Sequence, residues 1–181
     1  GKASTALNAF ESELGAQPPL GFYDPLGMLD DADQDRFDRL RYVELKHGRI
    51  SMMATMGYIT PEITGKFPGF LSPSAKLAFK DIPNGIGAIA KVPALGWAQI
   101  FAYMSFCEAG GGFNDYTTGT PGDYGFKVLT SSDPTEKTRK LNSELANGRL
   151  AMMAIIGMFF QDGLTGAAYG DWSLYTDSPL R

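Results

Sequence analysis

The sequence predicts an all-α chain of three principal helices, the first and third being copies of one unit that cross as a pseudo-symmetric pair. The repeat is the first observation behind this: residues 44–57 read E-L-K-H-G-R-I-S-M-M-A-T-M-G and residues 144–157 read E-L-A-N-G-R-L-A-M-M-A-I-I-G, identical at eight of fourteen positions. The second is that three segments each reach roughly 15 to 20 mostly apolar residues, near the lower limit for crossing a bilayer. Stretches rich in Gly and Pro separate them.

Taken in order, residues 1–15 offer a short amphipathic turn around Phe10 to Leu14 and otherwise read as a surface arm. Residues 18–28, P-P-L-G-F-Y-D-P-L-G-M, form a punctuated loop whose Phe22 and Tyr23 call for something to cover them. Asp30, Asp31 and Asp33 place negative charge where a helix macrodipole favours it, and the first helix is expected over about 33–60, stopped by Pro61. That length is about 42 Å, more than a bilayer core. A Gly- and Pro-rich connection follows, with a second short helix expected around Ser74 to Phe79. The middle helix is expected over about 92–109, with Pro93 in its first turn, and is apolar nearly all round. A further Gly, aromatic and Asp loop precedes the second copy much as residues 21–28 precede the first. Asp133, Pro134 and Glu136 then start a third helix over about 134–162, with Gly163 as its stop.

A chain of 181 residues, 44 % hydrophobic, suits a single domain over 1–181, and a net charge of -4 argues against a nucleic-acid surface. No run of eighteen apolar residues occurs and the mean hydropathy is slightly negative, a score that abundant glycine and polar loops pull down. The single Cys107 excludes an internal disulfide, and a single histidine, His47, excludes multi-histidine metal sites. With no initiator Met and no signal-like apolar leader, the chain reads as mature.

Helix geometry says what the repeat offers. Glu44 and His47, like Glu144 and Asn147, lie three residues apart and share a face. Arg49 and Arg149 follow their own glutamates by five residues, roughly 140° round the helix, so each is expected to pair with the other copy: Glu44 with Arg149 and Glu144 with Arg49. Gly48 and Gly148 would let two backbones, or a flat ligand, come close. Gln99 and Glu108 are the polar donors of the middle helix, about 180° apart, and Gln161 lies within roughly 40° of the face of Asn147.

Three chemistries compete for this set. Glu44 and His47 have the spacing of a di-iron carboxylate site, but Asn147 replaces the second histidine and a neutral amide is a poor iron ligand. A soluble scaffold with Glu–Arg ion pairs between helices gives Gln99, Glu108 and Gln161, on apolar faces, no assigned role. A membrane bundle holding magnesium tetrapyrroles uses them all, because imidazole, amide oxygen or charge-balanced carboxylate can each fill one axial position. Four unpaired charges at mid-membrane would cost on the order of 10 kcal/mol. Crossed pairs cancel that charge and leave each carboxylate one oxygen for a metal.

The E-x-x-H-G-R and E-x-x-N-G-R repeats followed by M-M-A, the L-G-F-Y-D-P-L-G loop and the P-G-D-Y-G-F loop resemble the chlorophyll-binding light-harvesting superfamily. Within it, I-T-P-E-I-T-G-K-F-P-G-F-L-S-P-S-A, K-V-P-A-L-G-W-A-Q-I and the closing D-W-S-L-Y-T-D-S-P-L-R look most like the dinoflagellate antenna that carries chlorophyll a, chlorophyll c and peridinin. The fucoxanthin antennas of diatoms and brown algae are close cousins. The terminal S-P-L-R is similar to the spacer at which dinoflagellate polyproteins are cut.

The resemblance implies an all-α membrane protein of three transmembrane helices, the first and third crossing as a pseudo-two-fold pair, plus short amphipathic helices. It implies a non-enzymatic, multi-pass antenna of the plastid thylakoid membrane, binding chlorophyll a, chlorophyll c and peridinin, with fucoxanthin as the alternative and diadinoxanthin as a further carotenoid. Glu44, His47, Gln99, Glu108, Glu144, Asn147 and Gln161 would ligate chlorophyll magnesium, and Arg49 and Arg149 would hold the crossed carboxylates. Phe22, Tyr23, Asp24 and Pro25 in one loop, with Tyr124 and Phe126 in the other, would line two carotenoids. Lys127 and Val128 depart from the Asp-Pro of plant relatives at that second loop. Partners would be a photosystem core, neighbouring antenna subunits and thylakoid lipids. A photoprotective quenching relative is the nearest alternative function. Arg36, Arg39, Arg41, Lys137, Arg139 and Lys140 precede the repeat spans and suit a stromal N-terminus, whereas Lys66, Lys76 and Lys80 weaken that asymmetry.

Overall fold

A computed structural model describes residues 9–31, 33–109, 119–126, 128 and 130–166. The closing D-W-S-L-Y segment and Lys127 lie outside them. The helices that lie wholly among the described residues are α1 (Gln34–Ile63), α2 (Ala88–Lys91), α3 (Ala94–Ala109) and α4 (Pro134–Thr165). The described residues fall into two compact units, one drawn from Gly1–Ile50 and Asp115–Leu150, the other from Ser51–Asn114 and Ala151–Arg181.

Both long helices begin as their capping residues dictate. Asp33 accepts from the Asp35 amide (3.1 Å) and its carbonyl from Phe37 (3.0 Å), while Asp133 accepts from Thr135 (3.0 Å) and Lys137 (2.9 Å) in the same way. Both run past their expected ends. Pro61 does not stop α1: it removes one helical bond near the C-terminus, and the Thr64 amide still reaches the Thr60 carbonyl at 2.9 Å. Gly163 stays helical in α4, and the stop is Gly166, whose φ of +72° lets its amide close on Asp162 at 2.8 Å. The middle helix starts at Ala94 rather than 92, because Val92 is extended before Pro93 and the Pro93 carbonyl takes the amides of Gly96 and Trp97.

In the first unit, Phe10, Leu29 and Phe37 form a buried cluster flanked by Phe22 and Leu40. Phe10 is only 2 % exposed and stacks on Phe37 at 4.5 Å between centroids, so this part of the N-terminal segment is core rather than a surface arm. Burying such a ring contributes about 1.5–3 kcal/mol. The Gly15 amide donates to Asn142 Oδ1 at 2.9 Å, which seats the segment on α4.

In the second unit, residues 74–79 form no α-helix. They belong to a two-stranded antiparallel hairpin, β1 (Phe70–Ser72) and β2 (Leu77–Ala78), continued by a 3₁₀ turn at Phe79–Asp81. Pro73 favours a turn, and the Lys76 amide bonds back to its carbonyl at 3.3 Å. Asp162 is buried and accepts both the Tyr58 hydroxyl (2.5 Å) and the Ile86 amide (2.6 Å), joining α1, α4 and a 3₁₀ turn at Gly85–Gly87. Tyr58 also meets Phe159 edge-on at 5.6 Å. By contrast, α3 buries none of its 16 residues. No single described helix is long and apolar enough by composition to cross a membrane, although Gly85–Lys91 and Ala94–Ala109 qualify together across a 108° bend. In α1 and α4 the charged turns of the repeat interrupt the apolar run.

Candidate functional site

The site lies in the first unit, where α1 and α4 meet at their glycines. A Cβ built on Gly48 would sit 3.0 Å from the Gly148 Cα, and one built on Gly148 would sit 3.0 Å from the Gly48 Cα, so two backbones meet with no room for a side chain. The contact brings the crossed charges together. Arg149 Nε meets Glu44 Oε1 at 2.6 Å, and Arg49 Nε meets Glu144 Oε1 at 2.7 Å. The four side chains are between 27 % and 42 % exposed, so each pair is partly shielded from solvent.

Each arginine has a second duty that the sequence did not disclose. Arg149 Nη1 donates to the Gly15 carbonyl at 2.8 Å, and Arg49 Nη1 to the Gly122 carbonyl at 2.9 Å. Gly15 (φ +91°) and Gly122 (φ +82°) both need the left-handed region, and a Cβ on them would come within 3.0 Å of Leu145 Cδ1 and 2.7 Å of Leu45 Cδ1 respectively. Gly15, in the segment ahead of the first copy, and Gly122, in the loop ahead of the second, are thereby each clamped to the helix of the opposite copy.

The symmetry fails at one point. Arg41 Nη1 meets Glu44 Oε2 at 2.6 Å, and its Nη2 donates to the Leu14 carbonyl. Leu141 stands at the corresponding place in α4. Among the described residues Glu44 therefore takes two arginines and Glu144 takes one. One carboxylate oxygen left over for a metal is a description of Glu144, not of Glu44.

His47 and Asn147, at equivalent places, are both exposed. His47 Nδ1 lies 2.8 Å from the Val43 carbonyl, which can only accept, so that nitrogen carries the proton and in the neutral ring Nε2 holds the lone pair. Asn147 Nδ2 donates to the Ser143 carbonyl at 2.8 Å and to the Ser143 hydroxyl at 3.2 Å, leaving Oδ1 as its acceptor. Each side chain spends its N–H on its own helix and keeps a donor atom for something else.

The remaining predicted residues are not gathered into one place. Gln99 and Glu108 are exposed on α3, and Gln161 is exposed on α4. Among the described residues no three His, Cys, Asp or Glu side chains converge on a metal site. In the first loop Tyr23 is exposed (67 %) and Pro25 is exposed, while Phe22 packs on Phe10 at 6.2 Å. Asp24 holds its own loop, accepting from the amides of Met28 (3.1 Å) and Leu29 (2.9 Å). A cavity of about 630 Å³ opens between this loop, Phe37, Arg41, Glu44 and Arg149. In the second loop Phe126 is exposed and the Arg49 guanidinium lies 5.6 Å over the Tyr124 ring. Burial and a hydrogen bond with Tyr42 raise the Tyr124 phenol above its ordinary pKa.

Comparison with known proteins decides the family. The sequence profile described as chlorophyll A-B binding protein matches residues 10–163. The chain belongs to the chlorophyll A-B binding protein family. It is a binding protein of that family and not an enzyme. Fucoxanthin-chlorophyll a-c binding protein B, chloroplastic, of Macrocystis pyrifera is 47 % identical over 176 residues, covering 93 % of this chain and 80 % of that protein. Fucoxanthin-chlorophyll a-c binding protein F, chloroplastic, of Phaeodactylum tricornutum is 46 % identical over 169 residues, covering 90 % and 85 %. Within this family member the matched region spans the ion pairs, both approach loops, His47 and Asn147.

Proposed function

We propose that this chain is a light-harvesting antenna of the plastid thylakoid membrane that holds chlorophyll a, chlorophyll c and a carotenoid and hands excitation energy to a photosystem core or a neighbouring antenna subunit. The observation that carries this reading is the matched pair His47 and Asn147, both exposed, each pinned to the carbonyl four residues back and each keeping a donor atom, Nε2 and Oδ1, that its own helix does not use. Magnesium in a tetrapyrrole is a hard cation that takes one such nitrogen or oxygen from the protein, and the donor chemistry fits. Glu144, Gln161, Gln99 and Glu108 supply further single donors on the same principle, and Glu44 does so where Arg41 yields its oxygen. Bound chlorophyll and carotenoid absorb the light and couple by their dipoles. This chain's residues fix where those dipoles sit.

The chain is read as one domain with α1, α3 and α4 as spans. The crossed pairs make this feasible for α1 and α4, since each isolated charge at mid-membrane costs about 2.5–3.5 kcal/mol. The exposed surface of α3, with Leu95, Phe101, Tyr103 and Phe106 each at least 59 % exposed, suits lipid and pigment. Tyr23, Pro25, Tyr124 and Phe126 line the two loops proposed to seat carotenoid ends. The names of the two relatives favour fucoxanthin as that carotenoid, with peridinin the alternative that the motifs at residues 59–75, 91–100 and 171–181 suggest. Reconstitution of H47L and N147L tests the reading: each variant is expected to bind one chlorophyll fewer and to lose one component of the red absorption band. Full pigment complement in both variants would overturn it.

A further inference from the structure

The connection between α1 and α3 has a charge and a surface that pigment binding does not use. Between residues 64 and 91 stand Lys66, Lys76, Lys80 and Lys91 against one acid, Asp81, in a chain that is acidic as a whole. Lys66 has a structural task, donating to the carbonyls of Lys80 (3.4 Å) and Ile82 and so closing the loop on itself. Lys76, Lys80 and Lys91 are exposed. Interleaved with them are Phe67 (77 % exposed), Phe70 (58 %) and Leu71 (37 %). Phe67 is held edge-on to Phe79 at 6.1 Å rather than turned inward.

Lys76 adds an independent observation. It is the one non-glycine residue with a positive φ among the described residues, at +52°, in the turn between β1 and β2. A side chain in the left-handed region carries a steric cost that glycine avoids, and strain kept at an exposed turn points to a use for the side chain.

We propose that the hairpin and its flanks form a docking surface for anionic lipid headgroups, with Phe67, Phe70 and Leu71 entering the interfacial layer and Lys76, Lys80 and Lys91 meeting lipid phosphate. Aromatic and apolar side chains favour the headgroup level, and basic residues beside them are attracted to anionic lipid. The inference rests on the reading of α1 and α3 as spans, which holds their connection close to a bilayer surface. It also accounts for Lys66, Lys76 and Lys80 standing on the side of the membrane where a simple charge asymmetry would not put them. Lys66 builds the loop and the others face the lipid.

The test uses the full pigment-loaded protein in lipid nanodiscs, one set of phosphatidylcholine alone and one of phosphatidylglycerol, with backbone hydrogen exchange followed over residues 66–82. Exchange is expected to slow in phosphatidylglycerol by about fivefold for each lysine engaged at low salt, and the slowing is expected to shrink as salt is raised. K76Q/K80Q/K91Q should keep its pigments and lose the lipid dependence. K76G should exchange more slowly than wild type in phosphatidylcholine, its turn relieved, yet respond less to phosphatidylglycerol. Equal exchange in both lipids would overturn the proposal, as would slowing that ignores salt and the lysine substitutions, which would assign the surface to apolar contact alone. Failure of the pigmented protein to enter discs would contradict the membrane reading and this proposal with it.

Discussion

Glu44 and Glu144 occupy the same place in two copies of one helix, yet they are served differently. Both accept an arginine from the opposite copy, at 2.6 and 2.7 Å, and both of those arginines clamp a glycine carbonyl ahead of the other copy's helix. Among the described residues only Glu44 has a second arginine, because Arg41 stands three residues before it where α4 has Leu141. The duplicated sequence repeats the pairing, and the unduplicated neighbour sets how much of each carboxylate is left over. A magnesium proposed at Glu44 would have to compete with Arg41, whereas one proposed at Glu144 would meet weaker competition.

The largest expected effect comes from removing the arginine that has no substitute. R49L leaves Glu144 without its cation and should cost about 2 kcal/mol, less than a fully buried pair because the side chains are partly exposed. R149L leaves Arg41 on Glu44 and should cost about half as much. Thermal loss of pigment circular dichroism orders the two variants, and equal costs would show that Arg41 does not share the charge. G48A and G148A should each cost about 1 kcal/mol, the gain in helix propensity offsetting part of the backbone clash. Those two losses should match, since the clash is reciprocal, and a clear inequality in denaturant midpoints would disprove the two-fold contact. The smallest effects lie at the odd position. R41L should lower stability by about 0.5 kcal/mol and L141R should raise it by a similar amount. Their pigment readouts should be opposite, with R41L tightening pigment retention at Glu44 and L141R loosening it at Glu144, as followed by chlorophyll release during dilution.

The helices and the crossed charges were legible because they depend on short-range spacing and on a repeat that supplies its own partner. Five residues from Glu to Arg forbids pairing within a copy, and only the other copy remains. Arg41 was legible too in principle, through its three-residue spacing to Glu44 on one helix face. The clamps at Gly15 and Gly122 were not, because a backbone carbonyl leaves no mark in side-chain pattern. Phe10 reads as part of a short amphipathic turn in a surface arm, and only the stack on Phe37 makes it core. Residues 74–79 contain Ala, Lys and Leu, good helix formers, and the turn at Pro73 overrides them through tertiary pairing with Phe70 and Ser72. Asp162 beside Gln161 looks like helix-end charge, and its burial follows from Tyr58 and Ile86, 104 and 76 residues away.

The antenna reading is tested most directly by the native protein's excitation spectrum together with chromatography of its extracted pigments. Chlorophyll a, chlorophyll c and a carotenoid should be recovered, and light absorbed by the carotenoid should appear as chlorophyll a emission. Fucoxanthin in the extract would agree with the relatives, and peridinin would instead support the lineage suggested by the motifs at residues 59–75, 91–100 and 171–181. A colourless protein, or pigments whose excitation does not reach chlorophyll a, would contradict the antenna and leave the crossed pairs as structural ties alone.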